Sequence, residues 1–221
     1  MLINAKFLDN MMHISSANRN ENGKESNQIN LSKYDSGGIL SGLYPELPTK
    51  KYDVIYANPP WDHDGKIKFY GANEKRQPAL ALNVLKQIEI LKISKENSLL
   101  FMWVTNRNLD QGIDLGKTWG FDYATVAFIW DKIKRDSDLY SMSSCEMCLA
   151  FKKGKTNGIK AQHKTGQMIK AMRTEDNLKP VQIRDTIGKM FPLQDKIEIF
   201  TKEGAPEWDA WGFDIAAHLR Y

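Results

Sequence analysis

Residues 52–61 read Tyr-Asp-Val-Ile-Tyr-Ala-Asn-Pro-Pro-Trp (YDVIYANPPW), and this stretch decides how the chain folds. Val54, Ile55 and Tyr56 form the centre of a short apolar strand, bounded by polar or charged residues upstream. Pro59 and Pro60 must end that strand, because proline has no N–H for the ladder and fixes φ near about −65°. An apolar strand without alternation is buried on both faces, which predicts helices above and below the sheet it joins.

The flanking sequence agrees. Downstream, Leu80, Val84, Ile88 and Leu91 recur at helical spacing and predict an amphipathic helix over 79–93. An apolar run over 99–104 (LLFMWV) predicts the next strand, followed by a helix near 108–119 that Gly120 closes. Strands follow at 123–130 and 147–152. Pro180 suits the first turn of a helix carrying Ile183, Ile187 and Met190, and 196–200 is the last strand. Apolar strands alternating with helices predict an α/β fold, with a mostly parallel sheet and helices on both faces. Upstream, residues 15–38 are rich in Asn and Ser with few residues to bury, so 1–49 read as an extension, partly loose or disordered, before a folded domain over 50–221.

The composition fits one such domain. The chain has 221 residues, 42% apolar and 26% charged, as in an ordinary globular protein with one substantial core. No apolar run approaches the roughly 20 residues of a membrane helix, and no signal peptide is visible at the N-terminus. Two cysteines make no disulfide framework, so a reducing, cytoplasmic setting is expected. With 31 basic and 27 acidic residues, the net charge permits a nucleic-acid partner without demanding one. Seven of those basic residues fall in 152–173, which holds no Asp or Glu. That stretch reads as a flexible basic loop, either a track for phosphates or a solvated loop kept soluble by charge.

The chemistry is concentrated at the end of the first strand, since ligands of open α/β sheets bind beyond the strands' carboxyl ends. There the Asn58 side-chain oxygen and the Pro59 carbonyl are two hydrogen-bond acceptors, the second held rigid by the prolines. Two acceptors aimed at one point suit a donor with two hydrogens, such as an exocyclic amino group. Trp61 offers a flat face on which a base can stack, worth about 1–3 kcal/mol. The competing reading is a turn that simply ends a strand, with Trp61 packed inside. No Gly-x-Gly-x-x-Gly follows any strand, so a dinucleotide-binding reading has no support. Cys145 and Cys148 have metal-site spacing, but no second pair exists and residues three apart on a strand face opposite ways. No metal is expected.

The Asn-Pro-Pro-Trp tetrapeptide resembles the (Asp/Asn)-Pro-Pro-aromatic signature of amino-group methyltransferases. The blocks YDVIYANPPW (52–61), LLFMWVTNR (99–107), WGFDYATVAFIWDK (119–132), CEMCLAFKKG (145–154), LKP (178–180), KIEIF (196–200) and EWDAWG (207–212) narrow the resemblance. In this order they are similar to the MT-A-seventy family, which includes the catalytic subunit of the eukaryotic mRNA adenosine methyltransferase and bacterial and phage DNA adenine methyltransferases of the MunI type.

The resemblance implies a Rossmann-like S-adenosylmethionine-dependent fold in permuted order, with the catalytic motif first and the cofactor strand near the C-terminus. It implies that Asn58, Pro59, Pro60 and Trp61 bind the target base and that Lys179 holds the cofactor's carboxylate. Thr201, Lys202 and Glu203, after the last strand, would lie against the methionine or ribose part of the cofactor. Where the family ends in Gly-Asn-Gln or Gly-Asn-Glu, this chain has Gly212, Phe213 and Asp214. A phenyl ring accepts no such hydrogen bonds, so the ribose contact falls to Asp214 or changes. Asn58 replaces the Asp of most members and keeps the acceptor oxygen without the charge.

The substrate implied is duplex DNA, methylated at adenine N6 after the base is flipped out, in the restriction–modification setting of such relatives. DNA is favoured over RNA because the chain is short and has no RNA-binding module. An RNA adenosine methyltransferase and a catalytically silent nucleic-acid-binding partner subunit are the alternatives. Expected substrate contacts are His63, Lys66, Lys68, Lys75 and Arg76 in the loop after Trp61, Glu146, and Lys152, Lys153, Lys155 and Lys164 in the basic stretch. Glu146 reads equally as a surface residue entering a strand, and His63 reads better as an exposed loop residue. The enzyme is expected to be a monomer or a homodimer, with no membrane contact.

Overall fold

The strand at the heart of the molecule is β1 (Tyr52–Ala57), flanked by β2 (Ser94–Val104) on one side and β6 (Lys196–Ile199) on the other. Both neighbours run parallel to it. The computed structural model describes residues 44–62, 79–137, 142–172, 178–201 and 204–213. The remaining strands are β3 (Asp122–Ser137), β4 (Met142–Lys153), β5 (Met168–Ala171) and β7 (Asp209–Trp211). They form one seven-stranded sheet in the order β5-β3-β4-β2-β1-β6-β7. Four of its six pairings are parallel; those of β4 with β2 and with β3 are antiparallel.

Burial on both faces follows from side-chain alternation along β1. Ile55 and Ala57 point into one apolar cluster, Val54 and Tyr56 into another. The first cluster is closed by the short helix α1 (Leu82–Leu85), a 3-10 turn at Ile90–Ile93 and helix α2 (Leu109–Thr118), through Leu85, Ile90, Ile93 and Leu115. The second is closed by α3 (Val181–Met190), through Ile183 and Ile187. This is the α/β, Rossmann-like architecture expected, with helices on both faces. From β1 the chain crosses to β2 on one side and returns much later to β6 on the other. The carboxyl end of β1 is therefore a topological switch point, where open α/β sheets place their ligands.

Three expectations need correction. The helix predicted over 79–93 is broken: Leu80 pairs with Trp61 as an isolated bridge, and only Leu82–Leu85 are α-helical. Ile88 and Ile90 are both buried, and residues two apart lie on nearly opposite sides of a helix, so the turn must open to bury both. The strands expected at 123–130 and 147–152 are longer, with β3 reaching Ser137 and β4 starting at Met142. The basic stretch is not one flexible loop, because it contains β5, hydrogen-bonded to the edge of β3.

Of the extension expected over 1–49, residues 1–43 lie outside the described residues. Tyr44 is buried, stacked on Trp211 at 5.0 Å, and the Trp211 indole donates to the Pro45 carbonyl at 2.9 Å. The end of the extension thus belongs to the folded domain. Among the described residues, no helix is long and apolar enough to cross a membrane.

Candidate active site

The Asn58–Trp61 corner is held by backbone geometry. The Asn58 N–H extends the β1–β6 ladder by donating to the Ile199 carbonyl (3.3 Å). The Trp61 N–H donates back to the Pro59 carbonyl (2.9 Å), closing a three-residue turn centred on Pro60. Proline's fixed φ suits the centre of such a turn, so the sequence itself aims the Pro59 oxygen. That oxygen has a second lone pair beyond the one Trp61 uses. The Leu80 N–H donates to the Pro60 carbonyl (2.7 Å), and the Asp62 N–H to that of Leu80 (3.2 Å), tying the corner to α1. Asn58 is half-buried, and among the described residues none hydrogen-bonds its side-chain amide.

Trp61 is partly buried against the first cluster, and its indole N–H donates to the Trp103 carbonyl at 2.9 Å. Trp103 lies in β2, and its own indole N–H donates to the Tyr56 hydroxyl at 2.6 Å. Burial holds the Tyr56 phenol far above its ordinary pKa, so it stays a neutral partner.

Behind Trp103 stands a buried charge cluster. Glu146, on β4, accepts from Lys132 of β3 (2.8 Å) and from Lys179, just before α3 (2.5 Å). Burial alone would raise the Glu146 pKa. The Lys179 and Lys132 ammoniums more than offset that and hold it below its ordinary value. The Lys179 Nζ also lies 5.7 Å from the Trp103 ring and 5.9 Å from the Trp130 ring, within cation–π range. Charges this deeply buried persist only when paired, so the cluster fixes where the Lys179 ammonium sits.

At the other side of β1, the chain leaves β6 through Phe200, whose φ is 64°. Its ring fills the core between Tyr44, Trp119 and Trp211. The Thr201 N–H donates to the Trp211 carbonyl (3.3 Å). Gly212 passes so near that a Cβ there would lie 2.0 Å from the Thr201 carbonyl oxygen, so only glycine fits. Thr201 is thereby set beside the end of β6, next to the corner.

A family model described as MT-A70 matches residues 52–214, which run from the first residue of β1 to just past Gly212. The chain belongs to the MT-A70 family. It is 37% identical over 193 residues to the Type II methyltransferase M.MunI of Mycoplasma sp., covering 80% of this chain and 83% of that one. It is also 24% identical over 172 residues to the N(6)-adenosine-methyltransferase MT-A70-like protein of Drosophila melanogaster. The same holds for the human N(6)-adenosine-methyltransferase catalytic subunit METTL3. These two matches cover 73% of the chain but only 26% and 28% of those longer proteins.

The MT-A70 chain is thus a methyltransferase, and its predicted residues fall in distinct places. Asn58, Pro59, Pro60 and Trp61 form the corner, with Lys179 and Glu146 joined behind Trp103. Phe213 packs against Tyr44 at 6.4 Å between ring centroids, a core role. Lys152, Lys153 and Lys155 lie at the opposite end of the strands. Lys153 pairs in register with Ser98, six residues before the end of β2 and therefore about 20 Å away along the strand. Lys153 donates to the Ser94 hydroxyl (2.8 Å), and Lys155 borders a surface cavity of about 370 Å³ with Asp53, Lys95 and Asn97. Lys164 is exposed. His63, Lys66, Lys68, Lys75, Arg76, Lys202, Glu203 and Asp214 lie outside the described residues.

Further residues pack around Lys179 and Glu146. Lys132 is 5% exposed and completes the charge cluster, while Trp103 and Trp130, both buried in the core, present their rings to the Lys179 ammonium. The signal for Lys132 was present. It shares the parity of Phe128 and Trp130 on an inward-facing strand, so its ammonium had to find a buried anion.

Proposed function

We propose that this protein is a site-specific DNA methyltransferase that transfers a methyl group from S-adenosylmethionine to the N6 amino group of adenine. The single observation that carries the reading is the Asn58–Pro59 acceptor pair at the switch point, with the Asn58 amide unengaged among the described residues and the Pro59 oxygen aimed by its turn. The relative it matches over most of both chains, M.MunI, is named a Type II methyltransferase, which favours DNA over RNA as the substrate.

The residues present fit the proposed cofactor by the chemistry of their donors. Lys179 brings a fixed ammonium for a carboxylate, and Thr201 brings a hydroxyl at the end of β6 for a polar contact. S-adenosylmethionine supplies an electrophilic methyl group when bound. The chain's own task is to make a poor nucleophile competent, because the lone pair of an adenine amino group is delocalised into the ring. The Asn58 side-chain oxygen and the Pro59 carbonyl each accept one amino hydrogen, which favours a pyramidal nitrogen with its lone pair directed outward. Asn58 is neutral and takes no proton, leaving the one shed by the methylated nitrogen to water. Its contribution is position and polarity, which suffices when the acceptors are preorganised. Trp61, pinned through its indole N–H, gives the extruded base a fixed surface.

The test is transfer of labelled methyl from S-adenosylmethionine by purified protein to unmethylated plasmid DNA and, separately, to an RNA transcript. Nucleoside analysis should find N6-methyldeoxyadenosine from the DNA. Label on RNA alone would overturn the DNA assignment, and label on cytosine would overturn the adenine assignment.

A further inference from the structure

The three charges of the buried cluster are not equally open to solvent. The side chains of Lys132 on β3 and Glu146 on β4 are 5% and 3% exposed, while that of Lys179, just before α3, is 12% exposed. Lys179 is thus the member a ligand can reach most easily, and Lys132 stands deeper. The strands put it there. Trp130 pairs with Glu146 across the β3–β4 ladder, and Lys132, two residues on, lies on the same side of β3 as Trp130. Its Nζ stands 5.4 Å from the Trp130 ring.

The Glu146 carboxylate divides its oxygens between the two lysines. The Lys132 ammonium donates to Oε1 at 2.8 Å, and the Lys179 ammonium to Oε2 at 2.5 Å. Rotation about the last bond of a glutamate side chain is soft, so a single partner would leave the carboxylate free to turn. Lys132 removes that freedom. With Oε1 engaged from the neighbouring strand, Oε2 is left pointing toward Lys179. Lysine also has more rotamer freedom to lose than most side chains, so a ligand that had to order a loose Lys179 would bind less tightly. Here that ordering is done before a ligand arrives.

We propose that Lys132 is a positioning residue for the cofactor: it holds Glu146, and through Glu146 it sets the Lys179 ammonium to receive the cofactor's carboxylate. Lys132 itself touches no part of the cofactor in this arrangement. The inference rests on the reading of Lys179 above and goes beyond it by naming the residue on which that lysine's placement depends. Replacing Lys132 with methionine leaves Glu146 still paired with Lys179, so neither of those two charges is stranded in the core. The effect should therefore appear in ligand affinity more than in stability.

Calorimetry on the full chain with two ligands tests this. S-adenosylhomocysteine carries the carboxylate; 5′-methylthioadenosine shares its adenosyl thioether and lacks the amino acid end. Lys132→Met should weaken binding of S-adenosylhomocysteine about tenfold and leave 5′-methylthioadenosine unchanged, and Lys132→Arg should restore most of the loss. On DNA, KM for S-adenosylmethionine should rise in the same proportion with kcat little changed. Equal weakening of both ligands would make Lys132 a structural residue only and overturn the proposal. Full S-adenosylhomocysteine affinity in Lys132→Met, where Lys179→Ala loses it, would overturn it and leave the reading of Lys179 intact. Full affinity in Lys179→Ala would remove that reading and this proposal with it. Should Lys132→Met not fold, Lys132→Gln is read in the same way, a loss selective for S-adenosylhomocysteine supporting the proposal and no loss contradicting it.

Discussion

The indole nitrogen of Trp61 donates to the carbonyl oxygen of Trp103 across 2.9 Å, tying the loop after β1 to the end of β2. The bond fixes the plane of an aromatic face that the proposed reaction needs at the corner. Trp61→Phe keeps an aromatic ring and loses the bond, so stability should fall by about 0.5–1.5 kcal/mol. Methyl transfer should fall as well, with cofactor affinity little changed. Urea unfolding and initial rates on DNA check both; a stability loss at full kcat would reduce Trp61 to a packing residue.

Glu146 joins Lys132 and Lys179 in one buried cluster, and removing its charge leaves two ammoniums without their shared anion. Glu146→Gln should destabilise the fold by about 3–5 kcal/mol at neutral pH. The folded-state pKa of Glu146 is lowered, so its contribution is present above the unfolded pKa and is lost as pH falls through the folded one. The difference between wild type and variant should therefore narrow once the pH drops below about 4, the ordinary glutamate range. Urea midpoints at neutral and acidic pH measure it. A difference that stays constant across that range would mean the carboxylate charge is not what stabilises the cluster.

Lys179 is the residue proposed to meet the cofactor's carboxylate. Lys179→Ala should weaken cofactor binding by about 1.5–3 kcal/mol, the value of a hydrogen bond to a charged group. Calorimetric titration with S-adenosylhomocysteine reads this, and an unchanged dissociation constant would move the carboxylate elsewhere.

Gly212→Ala would set a methyl group 2.0 Å from the Thr201 carbonyl oxygen, a backbone atom that no rotamer change can move aside. The end of β6 must shift, at a cost on the order of 1–3 kcal/mol. Cofactor affinity should fall with thermal stability, and loss of stability alone would separate this turn from the cofactor site.

Much of this arrangement was legible in the residues because local chemistry dictates it. The run Val54–Ile55–Tyr56 has to be a buried strand, and Pro59–Pro60 has to end it. Pro180 and the spacing of Ile183 and Ile187 likewise define α3. What escaped was set by distant partners. Met168–Ala171 (MIKA) has no strong strand signal and exists because the outer edge of β3 offers it a ladder. The 79–93 periodicity was real as a burial pattern, but Trp61 claimed Leu80 for a bridge, and Ile88 and Ile90 both went inward. Glu146 was visible as a strand residue near the substrate pocket. Its two lysine partners, 14 positions before it in β3 and 33 after it, meet only through tertiary structure.

Asn58 bears the most direct test of the central claim. Asn58→Ala removes one of two acceptors and leaves Lys179, Thr201 and the turn at Pro60 in place. Transfer of labelled methyl to adenine in unmethylated DNA should fall by about 10²–10³-fold or more, with calorimetric affinity for S-adenosylhomocysteine unchanged. Turnover near that of the wild type, or an equal loss in cofactor affinity, would contradict the assignment of Asn58 and Pro59 as the clamp on the amino group.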